Sequence, residues 1–383
     1  MPGMPGRRPA CVLRGYVSDH LSDDLSQQAA FRYGHSMVDI RELARLSGVS
    51  PATVSRALND RAEVSPETRR RILEMADRLG YSPNQPARTL VRRRSDMIGL
   101  IWDTGYTNQD RRHPFLLDLF VGIKQTLAES GYHLMVLSTA GAASPGDDTL
   151  YLRAAQQHSL AGVIMMGVDA AHPAITALVD AGTPCVGIDL PLHRNRTTYV
   201  TSDNRAGAAT AVRHLHSLGH TAIATITGPL GLMPADERLA GYRAEMASLG
   251  LTPDPRHIVD GDFFLASGYE AARRLLDLPE PPTAVFAAGD EMAIGALHAL
   301  ADASLRVPQD MAVVGFDDIE AAALLRPTLT TIAQDRVALG AGAVEALVDA
   351  LDADNGTAHA PLQVATRLVV RGSCGGEVRA VRS

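Results

Sequence analysis

Between Val38 and Asn59 the chain carries two sets of helix-start signals separated by one turn glycine, a spacing that admits little but two short packed helices. In Val38-Asp39-Ile40-Arg41-Glu42-Leu43-Ala44-Arg45-Leu46-Ser47-Gly48-Val49, Asp39 suits an N-cap, and Glu42 three residues on completes a capping box. Ile40, Leu43 and Ala44 fall on one apolar face at helical spacing. Gly48 permits a tight turn, and Ser50-Pro51 opens a second helix with Ser as cap and Pro at the first helical position. That helix, 51–59, is expected to bury Val54 and Leu58 and to leave Pro51, Ala52, Thr53 and Arg56 outside. A small, polar, Arg-bearing face on the second of two such helices matches a major-groove reader. A third helix starts at Ser65-Pro66-Glu67-Thr68 and runs through Ile72, Leu73, Ala76 and Leu79 to Gly80, a left-handed stop.

Gly48-Val49-Ser50, Ala52-Thr53-Val54-Ser55-Arg56, Leu58-Asn59, Val64-Ser65-Pro66-Glu67-Thr68 and Leu79-Gly80-Tyr81-Ser82-Pro83-Asn84 together resemble the LacI/GalR family of transcriptional repressors. The resemblance extends over nearly all of 37–374. It implies that Pro51, Ala52 and Arg56 contact base edges, that Ser50, Thr53 and Ser55 serve as caps or phosphate contacts, and that Asn59 and Arg88 belong to the same DNA-binding surface. It also implies a hinge helix at Asn84-Gln85-Pro86-Ala87-Arg88-Thr89-Leu90, with Leu90 wedged into the minor groove to kink the duplex. Gln85 and Pro86 depart from the alanine and leucine common there. Arg92-Arg93-Arg94 follows as a phosphate-contacting or simply solvated run.

The whole chain carries a net charge of −7, which superficially opposes a polyanionic partner. Residues 37–96, however, hold twelve Arg against eight Asp or Glu, a net of +4, while 97–383 carry −12. A basic head on an acidic body confines polyanion affinity to one end. Cys11, Cys185 and Cys374 are isolated, so neither a disulfide framework nor a zinc ribbon is expected. No apolar run reaches membrane-span length, and 1–36 lack the apolar core of a secretory signal. These residues are expected to be a disordered extension or an over-long start, and the protein to be cytoplasmic and nucleoid-associated.

From Met97 onward short apolar strands alternate with amphipathic helices. Strands are expected at 98–102, 134–138, 163–167, 185–189, 223–227, 258–261, 285–288 and 313–316, and helices include 115–130, 204–218, 236–249 and 267–276. Gly131, Gly182, Gly219 and Gly250 act as stops. Near-continuous apolar strands between helices indicate doubly wound parallel sheets, whose ligand cleft lies at the carboxyl ends of the strands. The expected fold is therefore an all-α helix-turn-helix head (37–82), a hinge and linker (83–96), a two-lobed α/β effector-binding and dimerisation domain (97–374) and a tail (375–383). The two-lobed body resembles periplasmic binding proteins, which implies three crossings between lobes, placed at 195–199, 329–334 and 359–363. The first lobe would then span 97–196 and 334–360, and the second 199–330 and 362–374.

Asp189, Asp290 and Asp317 end strands, and Arg238 begins a helix after Thr227-Gly228-Pro229. The resemblance implies that Arg238 and Asp317 grip the effector from the second lobe, that Asp189 faces them, and that Phe115 and Phe263 are apolar platforms. Asp290 competes with a helix-cap role, and the long stretch 103–113 is expected to lean over the cleft. Guanidinium and carboxylates beside aromatic faces suit a sugar or nucleoside-like ligand. His216 and His220 have metal-friendly i, i+4 spacing beside His214, but no cofactor or metal is expected. Gly228-Pro229-Leu230-Gly231 is no dinucleotide fingerprint, no P-loop is present, and no nucleophile elbow appears.

These features indicate a non-enzymatic, ligand-responsive repressor of carbohydrate-related genes. It would bind a pseudo-palindromic operator as a homodimer, since a tetramer-forming leucine-heptad tail is missing. An activator or partner-dependent regulator of the same architecture is the nearest alternative. A solute-binding protein or a sugar- or nucleotide-processing enzyme lies further off.

Overall fold

The computed structural model describes residues 39–58, 63–79, 81, 95–102, 113–137, 147–168, 172–352 and 360–376. The chain divides into two units, Met1–Arg93 and Arg94–Ser383. Asn59, Arg88, Leu90, Arg92-Arg93-Arg94, 1–36 and 103–112 lie outside the described residues.

In the first unit, α1 (Ile40–Ser47), α2 (Pro51–Leu58) and α3 (Pro66–Arg78) enclose a core of Leu43, Ala44, Val54, Ala57, Val64, Ile72 and Ala76. Asp39 Oδ1 accepts from the Glu42 amide at 2.7 Å, as a cap should. The reciprocal half of the capping box is not formed: the Glu42 carboxylate takes the Arg45 guanidinium instead, with Nε at 2.9 Å. A charged donor one turn away outcompetes a neutral amide. Gly48 ends α1 at φ 67°. Ser50 Oγ accepts from the Thr53 amide at 3.1 Å to open α2. Ala57 takes the interior place expected of Leu58, which is only partly buried. Leu73 is 46% exposed, because Ile72 and Ala76 one turn apart define the inward face of α3.

The second unit holds two six-stranded sheets. The first is ordered β11-β5-β4-β3-β1-β2 and the second β12-β10-β9-β8-β6-β7. The first comprises β1 (Met97–Trp102), β2 (His133–Leu137), β3 (Gly162–Met166), β4 (Cys185–Ile188), β5 (Thr197–Ser202) and β11 (Leu362–Val364). The second comprises β6 (Ile223–Thr227), β7 (Ile258–Asp260), β8 (Ala284–Ala287), β9 (Ala312–Asp317), β10 (Thr330–Gln334) and β12 (Thr366–Val369). Every neighbouring pair is parallel except β10 with β12.

Helices cover both faces of each sheet, which is why the central strands are apolar on both sides. On the first sheet α4 (Pro114–Glu129) and α12 (Arg336–Asp352) bury one face, while α5 (Leu150–Gln157) and α6 (Pro173–Asp180) bury the other. On the second, α7 (Asn204–Ser217) and α8 (Met233–Ser248) oppose α9 (Leu265–Leu276) and α10 (Asp290–Asp302). The short α11 (Glu320–Leu324) follows β9. Gly131, Gly182, Gly219 and Gly250 all sit at positive φ just past helix ends.

The crossings fall later than expected. Residues 197–202 and 330–334 are strands, not connections, so the chain changes lobe at Asp203, Asp335 and Ala365. Thr197, Thr198, Thr201 and Ser202 hide β5 from an apolar-pattern search, although all four are buried. Two of the crossings are also caps. Asp203 Oδ1 accepts from the Ala206 amide at 3.0 Å and Asp335 Oδ1 from the Ala338 amide at 2.9 Å, so each begins the helix that enters the next lobe.

Candidate functional site

The head presents α2 with Pro51, Ala52 and Arg56 exposed and Thr53 and Ser55 half-buried. Ser50 and Thr53 are tied together, their hydroxyls 2.9 Å apart, so they hold the helix start. Val54 and Ala57, on the opposite side, anchor it in the core. A rigid helix thus shows a small, polar, cationic surface, the form a base-edge reader takes.

In the second unit a cavity of about 110 Å³ opens between the two sheets at the carboxyl ends of their strands. One water needs roughly 10–15 Å³ on the same measure, so there is room for a small organic ligand. His113, Phe115, Leu116, Gly167, Val168, Ile188 and Asp189 line it from the first lobe. Leu232, Pro234, Arg238, Asp262, Phe263, Phe264 and Asp317 line it from the second. The structure therefore gathers Phe115, Asp189, Arg238, Phe263 and Asp317 around one space.

Arg238 lies in the second turn of α8, which begins at Met233, earlier than the sequence suggested. Its side chain is 4% exposed. Nε donates to Asn204 Oδ1 at 2.8 Å, Nη1 donates to the Ala288 carbonyl at 2.6 Å, and the guanidinium stacks 3.7 Å from the centroid of the Phe316 ring. Asp317 Oδ1 stands 3.6 Å from Nη1 and accepts from Gln334 Nε2 at 2.6 Å. Asp189 Oδ1 accepts from Thr201 Oγ1 at 2.6 Å, and Asn204 Nδ2 donates to the same hydroxyl at 3.1 Å. Burial raises the Asp189 carboxyl above its ordinary value, against the lowering effect of the Thr201 hydrogen bond.

Several cavity residues hold left-handed backbone: Asp189 at φ 54°, Phe263 at φ 69° and Asp317 at φ 121°. Such strain persists only where the surroundings over-determine it, and it concentrates at ligand sites. Asp262 Oδ1 accepts from the Phe264 amide at 2.9 Å, forming the turn that carries Phe263. Gly228 is the ring's seat: a Cβ there would overlap Phe263.

Asp290 is not part of this wall. It is fully buried at the start of α10, where Oδ2 accepts from the Ile319 amide at 2.9 Å and Oδ1 from Thr331 Oγ1 at 2.6 Å. Burial pushes its carboxyl well up. A strand-end position shows only that a residue lies near the cleft; this side chain turns inward to join β10 and α11. Sequence reasoning missed Asp262 and Phe264 as wall residues and reached His113 only as the end of the stretch expected over the cleft. The other cue to His113 was Pro114, which marks a helix start and makes the preceding residue an N-cap position. Among the described residues no group of His, Cys, Asp and Glu is arranged to hold a metal ion, and no helix is long and apolar enough to cross a membrane.

Residues 39–84 match the family model of bacterial regulatory proteins, lacI family, and residues 212–374 that of a periplasmic binding protein-like domain. The chain is 36% identical to the HTH-type transcriptional regulator CelR of Thermobifida fusca, covering 86% of this chain and 96% of that protein. It is 35% identical to the ribose operon repressor of Escherichia coli K12, covering 82% and 92%. Among solved structures it is similar to a CelR–cellobiose complex, with TM-score 0.64, 31% identity and 88% and 99% coverage. It is also similar to the lac repressor dimer bound to operator and the anti-inducer ONPF, with TM-score 0.74, 28% identity and 88% and 99% coverage. A groove-reading helical head followed by a doubly wound, two-lobed α/β unit, matched along most of its length by these regulators, makes this chain a member of the LacI family of bacterial regulatory proteins.

Proposed function

We propose that this chain is a transcriptional repressor that binds a pseudo-palindromic operator as a homodimer and is switched by a small carbohydrate or nucleoside-like effector. The observation that carries the effector half is the cavity, where Arg238, Asp189 and Asp317 converge beside Phe115 and Phe263. Relatives named as repressors, one of them solved as a dimer on its operator, support the DNA half. In this reading Pro51, Ala52 and Arg56 meet bases, while Ser50, Thr53, Ser55, Asn59 and Arg88 position the head. Leu90 opens the central base step.

The effector acts by binding the DNA-competent and released arrangements unequally, since equal affinity would shift nothing. The three single-residue crossings are where the lobes can turn against each other, and two of them, Asp203 and Ala365, are stapled. The Asp203 amide donates to the Val364 carbonyl at 2.8 Å. Titration of operator DNA with the full chain, with and without cellobiose or ribose, tests the reading. Sequence-specific binding that one of them changes supports it, and binding without sequence preference refutes it.

A further inference from the structure

His113 is about nine-tenths buried and sits directly before α4; the Phe263 backbone is a polar neighbour, and neither ring nitrogen completes a hydrogen bond of standard geometry. Buried polar groups are almost always paired, so an imidazole that faces a cavity with no hydrogen bond of standard geometry has donor and acceptor capacity left for a ligand. Its ring is held edge-on between Phe115 of its own lobe, with centroids 6.4 Å apart, and Phe264 of the other lobe, at 5.8 Å. Aromatic packing thus fixes the ring plane without using either nitrogen.

The rest of the wall is rich in acceptors. Asp189, Asp262 and Asp317 contribute carboxylates, and among the described residues that line it Arg238 is the one Lys or Arg. That guanidinium already gives Nε to Asn204 and Nη1 to Ala288, with Asp317 beside it and Phe316 against its face. An anionic ligand would meet surplus negative charge and a cation already engaged. A donor-rich, uncharged ligand would satisfy the carboxylates and leave a hydroxyl for the imidazole, which donates at one nitrogen and accepts at the other.

Resting on the effector reading above, we infer that His113 is a specificity residue that grips one hydroxyl of an uncharged polyol, and that the cavity selects neutral sugars against acidic or phosphorylated ones. Removing the imidazole leaves the hydroxyl unpaired; rejecting an anion needs no further contact, because the carboxylates already supply the repulsion.

Calorimetric titration of the full chain with cellobiose, D-glucose and D-ribose, each beside its uronic-acid or phosphate-ester counterpart, tests both parts. At least one neutral sugar is expected to bind, and its charged counterpart at least about tenfold more weakly. His113→Phe, which keeps the aromatic packing and the fold, should weaken the neutral sugar by about tenfold or more. His113→Gln, with a donor and an acceptor, should recover part of that loss. A charged counterpart that binds as tightly overturns the charge argument, and an unaffected His113→Phe overturns the role of the imidazole. Binding by none of the neutral sugars overturns the assignment of effector class. Operator binding by the same preparation, scored separately, reports on the regulator reading itself.

Discussion

Asp189 of the first lobe and Asp317 of the second are joined by an unbroken run of polar contacts through Thr201, Asn204 and Arg238. The run passes beside the crossing at Asp203, so in the proposed switch a ligand held by either carboxylate is linked to a segment that joins the lobes. Coupling of this sort needs an element with two arrangements, the role that the proposed switch assigns to the three single-residue crossings.

Arg238→Ala removes the centre of that run and leaves Asp317 buried beside Gln334 without its cation. The expected cost is about 3–5 kcal/mol of stability, together with loss of the effector response. Chemical denaturation and calorimetric titration with the sugar that binds the parent protein measure the two effects. Unchanged affinity would remove Arg238 from the site.

Gly228→Ala places a methyl where the Phe263 ring lies. The ring must leave its seat, costing about 1–3 kcal/mol and lowering effector affinity about tenfold. Melting temperature and sugar affinity should fall together. An unaltered affinity would show that Phe263 is no platform.

Gly48→Ala tests the head turn alone. The backbone there is at φ 67° and the space around a Cβ is open, so the penalty is conformational and amounts to about 1 kcal/mol. Thermal unfolding of the head should register it, and a neutral effect would argue that the turn relaxes to another conformation.

Arg56 is exposed on α2 on the side away from the Val54 and Ala57 anchor. Arg56→Ala should leave the melting temperature within the range of ordinary surface changes and weaken operator binding by about 1–3 kcal/mol. Equal losses on operator and random DNA would make it a phosphate contact; a loss on the operator alone would make it a base reader.

The pH dependence follows from His113. Burial holds its imidazole below the ordinary value of 6.5, while Asp317 raises it, Arg238 lowers it and the Phe263 backbone raises it in turn; Asp189 and Asp262 also face the cavity. With the folded value depressed, the unfolded chain binds the extra proton first. The stability from the neutral ring is full above about 6.5 and is lost as pH falls below it. Sugar affinity should decline over the same range, because an imidazolium no longer accepts a hydrogen bond. Asp189 also takes up its proton as pH falls, so the comparison of parent with His113→Phe isolates the imidazole; identical profiles would contradict this account.

The strands that run apolar on both faces, such as β3 and β8, were legible because burial on both sides writes itself as an uninterrupted hydrophobic run. β5 and β10 were not, because their buried threonines satisfy hydroxyls by hydrogen bonds, as Thr198 does with the Ala360 carbonyl at 3.2 Å. That error moved two of the crossings. Around the cavity, motif context pointed to Arg238 and Asp317, whereas Asp290, for which a helix-cap role competed, turns to Ile319 and Thr331, since which way a strand-end carboxylate turns depends on partners distant in sequence. His113 was legible only as the end of the stretch 103–113 and as the residue before Pro114; the state of its ring nitrogens is revealed by three-dimensional packing alone.

Selecting tight-binding duplexes from a random DNA pool with the full chain, then repeating the binding with the neutral sugars, tests operator recognition and its control by effector together. Enrichment of a two-fold pseudo-palindrome whose affinity one neutral sugar alters is the expected result. Failure to enrich any sequence, or enrichment of one without two-fold symmetry, would contradict the proposed function.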